Sequence, residues 1–365
     1  MLKLEPRAQA SVFWRYASPL LALLITICIG ILLFTALGKD PIKGLGVFFW
    51  EPIKSVYALS ELLVKATPLL LIALGLAVCF RSNIWNIGAE GQFVMGAVFA
   101  AGVAIQADAS SSQIYWVWVL IAGTLGGMFW AALTAALRDW FNASEILVSL
   151  MLVYVAIMIL NFLVFGPWKD PLGYNFPQTK TFETLAQIPK LIPGTRVNVG
   201  VILTLLGVAG LWTFLFRTHA GFAQQVGGLA PHAARFAGFS SRRALWLALL
   251  CSGASAGLAG ALEVAGPLRQ LTPFVPVGYG FAAIIVVFVG RLHPIGIVFS
   301  ALLMSMFYIG GELAQSRLGM PKSLTGVFQG LLLFSLLACD TLMMYKLVWK
   351  AKALVAHPLT MKGVA

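Results

Sequence analysis

Asn86, Glu90 and Gln92 place a carboxylate and two amides in the stretch Asn86-Ile-Gly-Ala-Glu-Gly-Gln-Phe-Val-Met-Gly96, which otherwise reads as lipid-embedded. A charge at membrane depth costs at least ~2.5–3.5 kcal/mol on insertion scales, so it faces a cavity or a partner. Gly88, Gln92 and Gly96 recur every four residues and share one helical face. Glycine on such a face lets backbones approach closely. The spacing points to a polar helix start beside a translocation path. The competing reading is helix packing, with Glu90 tied to a backbone donor or a lysine. A second acid, Glu263, lies one turn beyond Gly260 in a run of small residues, Gly253-Ala-Ser-Ala-Gly-Leu-Ala-Gly-Ala261. That run is a close-contact face for another helix, so Glu263 also points at an interface or a cavity.

Composition says what must position these groups. The chain is 60% hydrophobic and 10% charged, with a mean hydropathy of +0.90, far outside soluble-domain averages. At ~20 mostly apolar residues per crossing, about ten helical spans are expected. They fall at 17–37, 62–80, 86–105, 114–137, 146–168, 199–216, 244–266, 279–290, 294–312 and 324–345. The eighth is short, and the proline-bearing stretch before it, 268–277, is expected to enter the membrane as a re-entrant piece. Such backbone is tolerated only where protein or water covers it. Arg81, Arg138, Arg217, Arg242, Arg243, Arg291 and Lys346 flank alternate spans, which puts both termini in the cytoplasm. The start reads as an uncleaved first helix.

The resulting organisation is a basic cytoplasmic stretch at 1–16, an all-α integral membrane body at 17–345 and a second basic stretch at 346–365. Two outer segments are expected, 38–60 and 169–198. The first carries Val47-Phe-Phe-Trp50, predicted to lie amphipathically on the membrane surface. The second reads as a cap over the bundle or a seat for an extracytoplasmic partner.

The formal net charge of +12 raises nucleic acid as a partner. The basic residues flank apolar spans instead of interleaving with aromatics, so lipid bilayer, and no nucleic acid, is the expectation. Cys28, Cys79, Cys251 and Cys339 all sit in apolar segments and imply neither disulfide nor zinc. There is no G-x-x-x-x-G-K-[ST] loop, no H-E-x-x-H and no G-x-S-x-G. A transport subunit without a cofactor of its own is therefore expected rather than an enzyme. The longest cytoplasmic loop, 217–243, contains Pro231-His-Ala-Ala-Arg-Phe236, predicted as a short helix started by Pro231 and ended by Gly238. It is either a knob for another protein's groove or a solvated connector.

Five stretches recur together in one known family: Lys65-Ala-Thr-Pro-Leu69, Asn86-Ile-Gly-Ala-Glu-Gly-Gln92, Pro231-His-Ala-Ala-Arg-Phe-Ala-Gly238, Gly257-Leu-Ala-Gly-Ala-Leu-Glu263, and Gly278-Tyr-Gly-Phe-Ala-Ala283 through Gly290-Arg-Leu-His-Pro294. The chain resembles the membrane subunit of ATP-binding-cassette (ABC) importers in the branched-chain amino acid, simple-sugar and nucleoside permease family. Its variant of the second stretch resembles the branch that works with basic-membrane-lipoprotein-type binding proteins, typically nucleoside importers. The resemblance implies a type II importer permease fold in a prokaryotic plasma (inner) membrane. It implies a cytoplasmic ABC ATPase that uses ATP and Mg, a second homologous permease subunit in a heterodimer, and an extracytoplasmic solute-binding protein. Pro231, His232, Ala233, Ala234, Arg235 and Phe236 would couple to the ATPase.

Intramembrane polarity puts Asn86, Glu90 and Gln92 on one side of the expected cavity and Glu263, Tyr279 and Phe281 on the other. Tyr279 and Phe281 would stack on a nucleoside base. A simple sugar, a riboflavin-like compound or a branched-chain amino acid fits the same vocabulary. The loop departs from the family at Ala230, where Asn is usual, and at Ala223-Gln-Gln225 and Gly228-Leu229, which replace more usual basic and acidic residues. The rival class is a gradient-driven secondary transporter, which also uses intramembrane carboxylates and broken helices.

Overall fold

The computed structural model describes residues 2–6 and 12–349. Arg7, Lys350, Lys352 and Lys362, which belong to the expected basic ends, lie outside the described residues. In chain order the helices are α1 (Val12–Ala36), α2 (Pro41–Leu45), α3 (Val56–Arg81), α4 (Ala89–Ala104), α5 (Tyr115–Phe141), α6 (Glu145–Phe165), α7 (Gly200–Arg217), α8 (His219–Leu229), α9 (Pro231–Phe236), α10 (Ser241–Glu263), α11 (Tyr279–Val289), α12 (Pro294–Leu318) and α13 (Leu324–Met344). Seven of these (α1, α3, α5, α6, α7, α10 and α12) are long and apolar enough to cross a membrane. Three shorter apolar helices, α4, α11 and Leu324–Asp340 of α13, accompany them.

Helix ends follow the local residues. Ser55 accepts from the Ala58 amide at 3.1 Å and starts α3, and Ser240 does the same for α10 through Arg243 at 3.3 Å. Each satisfies an amide that has no partner within its helix. Gly319, at φ +63°, ends α12 in the left-handed conformation that glycine adopts without strain.

The most apolar window of α3 is 89% buried inside the protein, against 22% for α1, α6 and α7. The first is therefore the axis of the bundle and the others its rim. Around the axis, α10 packs on α5, α4 and α3. The backbones meet directly there: a Cβ on Gly257 would strike Gly123 and Gly127, one on Gly96 would strike Gly257, and one on Gly260 would strike the Phe93 carbonyl. The small-residue face of 253–261 is thus a seam shared by three helices, as its composition predicts.

Two expectations are corrected. The all-α description holds for the membrane body, but β1 (Leu2–Pro6) pairs antiparallel with β2 (Tyr345–Trp349), with Glu5 opposite Lys346. Packing of α1 beside α13 brings the two chain ends together, and their backbones satisfy each other. The Val47–Trp50 stretch does not lie flat on a membrane surface. Phe48 is fully buried against Phe328, 4.5 Å between ring centroids, and Phe307 at 5.9 Å, although Trp50 is exposed. Asp340 pairs with Arg291 at 2.6 Å, and Ser18 donates to it at 2.6 Å.

Past α10 the chain makes a wide turn over Val264–Leu268 and then runs non-helically to Gly278. The outer segment covers this piece: Thr179 N–H bonds Leu271 O at 3.0 Å, Phe182 N–H bonds Arg269 O at 2.8 Å, and Ile188 N–H bonds Ala265 O at 3.0 Å. Irregular backbone at membrane depth requires such a cover.

Candidate functional site

Between Arg81 and Ala89 the chain leaves the helical path, with Asn83 at φ +56°, and carries Asn86 into the seam. The Asn86 amide donates to Gln92 Oε1 at 3.1 Å and to Ser252 Oγ at 2.9 Å. Its oxygen accepts from the Gln92 amide at 3.2 Å and from Gly88 N–H at 3.0 Å. Glu90 reaches across to the start of α11. Its Oε1 accepts from Gly278 N–H at 2.8 Å and its Oε2 from Gly280 N–H at 2.5 Å. A carboxylate at a helix N-terminus satisfies free amides and opposes the positive end of the helix dipole. Gly278, at φ +85°, sets the approach, and a Cβ on Gly280 would strike the Glu90 backbone.

Asn86, Glu90 and Gln92 are all fully buried. In this structure they form a closed frame rather than the expected cavity wall. The glycine contacts bring α10 and α11 each so close to α4 that protein groups satisfy these polar atoms.

Toward the segment 169–198 the character changes. The Tyr279 ring is enclosed edge-on by Phe93 at 5.8 Å and Tyr308 at 5.3 Å, with Lys65 Nζ 5.8 Å from its centroid. Its hydroxyl is buried without a hydrogen-bond partner. Lys65 is 3.0 Å from Glu312, whose side chain stays largely exposed. Glu263 lies in the field of Lys65, Arg196 and Glu312 and borders a slit of about 10 Å³ with Thr67, Asn198 and Pro267. That is room for one water. The structure therefore brings Glu263 and Tyr279 to one polar cluster and adds Lys65, Tyr308 and Glu312 to it. Phe281 stands apart: two residues along α11 it turns outward and is 41% exposed.

Asn198 and Pro267 also line a cavity of about 540 Å³ beside the segment 169–198, with Gln113, Trp116, Gln187, Lys190, Arg196 and Arg269. This cavity and the Glu263 slit thus share a wall. Arg196 is bound through its fork to Glu61, which raises its pKa and keeps it charged. Lys190 and Arg196 belong to the segment 169–198, expected as a cap or a partner's seat, but no residue pattern in the sequence pointed to a cavity there. The only available signal was a basic residue beside a proline-rich outer segment, which is common on any surface.

On the opposite side, α8 and α9 project together. Thr218 caps α8 through Gly221 N–H at 3.0 Å, and α9 packs chiefly on α8. Ala234 faces inward, whereas His232, Ala233 and Arg235 are exposed and Phe236 is 96% exposed. The predicted short helix from Pro231 to Phe236 is present, and Gly238 follows it at φ +80°. It offers an aromatic ring and a cation with nothing over them among the described residues.

Comparison with known proteins places this geometry. Residues 58–337 match the family model described as branched-chain amino acid transport system / permease component. The glucose ABC transporter permease protein TsgB13 of Haloferax volcanii is 30% identical, over 94% of this chain and 93% of its own. The guanosine ABC transporter permease protein NupP of Bacillus subtilis is 26% identical, over 85% of this chain and 89% of its own. The nucleoside ABC transporter permease protein NupB of Lactococcus lactis is 26% identical, over 94% and 96% respectively. No solved structure matches the chain.

Proposed function

The chain belongs to the branched-chain amino acid transport system / permease component family, and on that premise we propose that it carries a small, uncharged polar solute inward, a nucleoside first among them, as the membrane-spanning subunit of an ATP-driven importer. The observation that carries this reading is α9, an exposed helix mounted on α8, which is anchored in the body through buried Gly221 and Gln224. A gradient-driven carrier has no use for such a surface, whereas a permease needs it to seat a cytoplasmic ATPase. Pro231, His232, Ala233, Ala234, Arg235 and Phe236 form that seat. A binding protein delivers solute on the outer side, and a second homologous permease completes the conduit.

Orientation follows from the same end of the molecule. The Arg291–Asp340–Ser18 cluster lies one residue from Leu292, whose carbonyl accepts from Arg81, and Arg81 also bonds Gln225 of α8. The chain ends, joined as β1 and β2, therefore share a side with α9 and with Arg138, Arg217, Arg242 and Arg291. An arginine-rich side is the cytoplasmic one. Ten apolar helices then return both ends to it.

The path runs from the outer cavity past Asn198 and Pro267 to Glu263 and Tyr279. Asn86, Glu90 and Gln92 frame it from behind, and Phe281 flanks it on the side left for the second permease. Two ion pairs stand along it, Lys65 with Glu312 and Arg196 with Glu61, beside Lys190, Arg269 and Glu263, which form none among the described residues. The amides and the indole that line the cavity, Gln113, Gln187, Asn198 and Trp116, suit a solute with hydroxyls and ring nitrogens. Sugar is the second reading, favoured by the 30% identical glucose permease protein.

Uptake of labelled guanosine and glucose into proteoliposomes holding the complete importer separates these. ATP-dependent guanosine uptake that excess glucose leaves unchanged is expected. Glucose uptake alone replaces the cargo, and uptake that needs an ion gradient but no ATP overturns the importer.

A further inference from the structure

Gln224 and Gln225 of this loop belong to a connected polar joint. Gln224 is fully buried in α8. The Ser82 hydroxyl donates to its oxygen, and its amide donates to Ala244 O at 3.1 Å. The next residue, Gln225, accepts from Arg81 Nη1 at 2.9 Å and donates to Leu215 O at 2.7 Å. Arg81 uses its remaining reach on the far side, donating from Nε to Leu292 O at 2.9 Å while its guanidinium rests 5.4 Å over the Phe216 ring. Two adjacent glutamines thus bond one short helix to the ends of α3, α7 and α10. The arginine extends the link to the turn between α11 and α12.

The packing is as close as the bonding. A Cβ on Gly228 would strike the Arg81 carbonyl, and one on Gly221 would strike the Phe214 carbonyl. The turn that receives Arg81 is not a soft one. Arg291 and Leu292 both hold φ +57°, and non-glycine residues rarely adopt this unless their surroundings impose it. At its other end α11 begins on the two amides held by Glu90.

We propose that Arg81, Gln224 and Gln225 are the positioning residues that convert displacement of α9 into movement of α3 and α11. The joint is polar and fully bonded, so it moves as one body and cannot slide. A shift of α8 carries the Arg81 end of α3 and the Leu292 turn with it. Through α11 that shift reaches Tyr279, the first residue of this 11-residue helix. The inference rests on α9 being the ATPase seat.

The test uses the complete importer in proteoliposomes, with solute imported per ATP hydrolysed as the readout. Gln225→Leu removes both bonds, and Arg81→Lys keeps the charge but not the fork that reaches two acceptors. Each is expected to retain the ATPase and its hydrolysis while import per ATP falls about fivefold or more, the lower bound of typical coupling between sites. The exchange Arg81→Gln with Gln225→Arg, which restores one bond in reverse, is expected to recover part of that ratio. An unchanged ratio in both single variants overturns the joint. So does a variant that no longer retains the ATPase, because the joint would then only shape the docking surface. If the unaltered subunit itself recovers no ATPase, it is the seat at α9 that fails.

Discussion

Two acids of the same membrane body, Glu90 and Glu263, sit in opposite circumstances. Each follows or adjoins a glycine-rich stretch, and each is withdrawn from lipid. Glu90 has both oxygens occupied by backbone amides of α11 in a seam where helices touch glycine to glycine. Glu263 borders a slit beside a larger outer cavity, among charges that it shares with neighbours. A buried carboxylate whose acceptors are filled is a structural bolt, whereas the one proposed to meet the solute borders open space in the field of Lys65 and Arg196. Satisfaction, more than burial, separates the two.

Widening the seam is the most disruptive way to break this contrast. Gly257→Leu would drive a side chain into the backbones of Gly123 and Gly127. Overpacking typically costs 1–3 kcal/mol, and here about 3 kcal/mol or more is expected because backbone cannot yield as a side chain does. Thermal unfolding in detergent should show a lowered midpoint or no folded protein at all. A fully stable variant would mean that α10 and α5 are not held by this contact.

A finer cut compares the acids themselves. Glu90→Ala leaves two buried amides without acceptors, at roughly 1–3 kcal/mol each. Stability and uptake should fall together. Glu263→Gln keeps the shape, so its unfolding midpoint should stay near that of the unaltered chain while uptake falls. Equal loss of stability in both variants would erase the distinction.

Much of this architecture is legible in the sequence, for stated reasons. Apolar run length reports helices, so the spans at 62–80, 114–137 and 294–312 reappear in α3, α5 and α12 with shifted ends. Serines, prolines and glycines mark caps locally, and Pro231 and Gly238 bound α9 as expected. Small residues at 253–261 foretell a close seam because only glycine and alanine allow it. What the sequence withholds is the partner. The amides that hold Glu90 lie 188 and 190 residues away, and nothing in a local pattern encodes that distance. The same holds for Glu61 with Arg196, 135 residues apart. Phe48 misleads for a related reason: amphipathicity reports that a face is apolar, not whether lipid or Phe328 covers it.

The account turns on which acid meets the solute, and thiol labelling addresses that directly. In a chain lacking its native cysteines, Glu263→Cys and Glu90→Cys are each exposed to a membrane-impermeant thiol reagent from the outer side during ATP-driven turnover. Labelling at position 263 that the transported solute slows, with no labelling at position 90, is the expected result. Solute-protected labelling at position 90 with position 263 inert would contradict it, and the path would then pass through the seam.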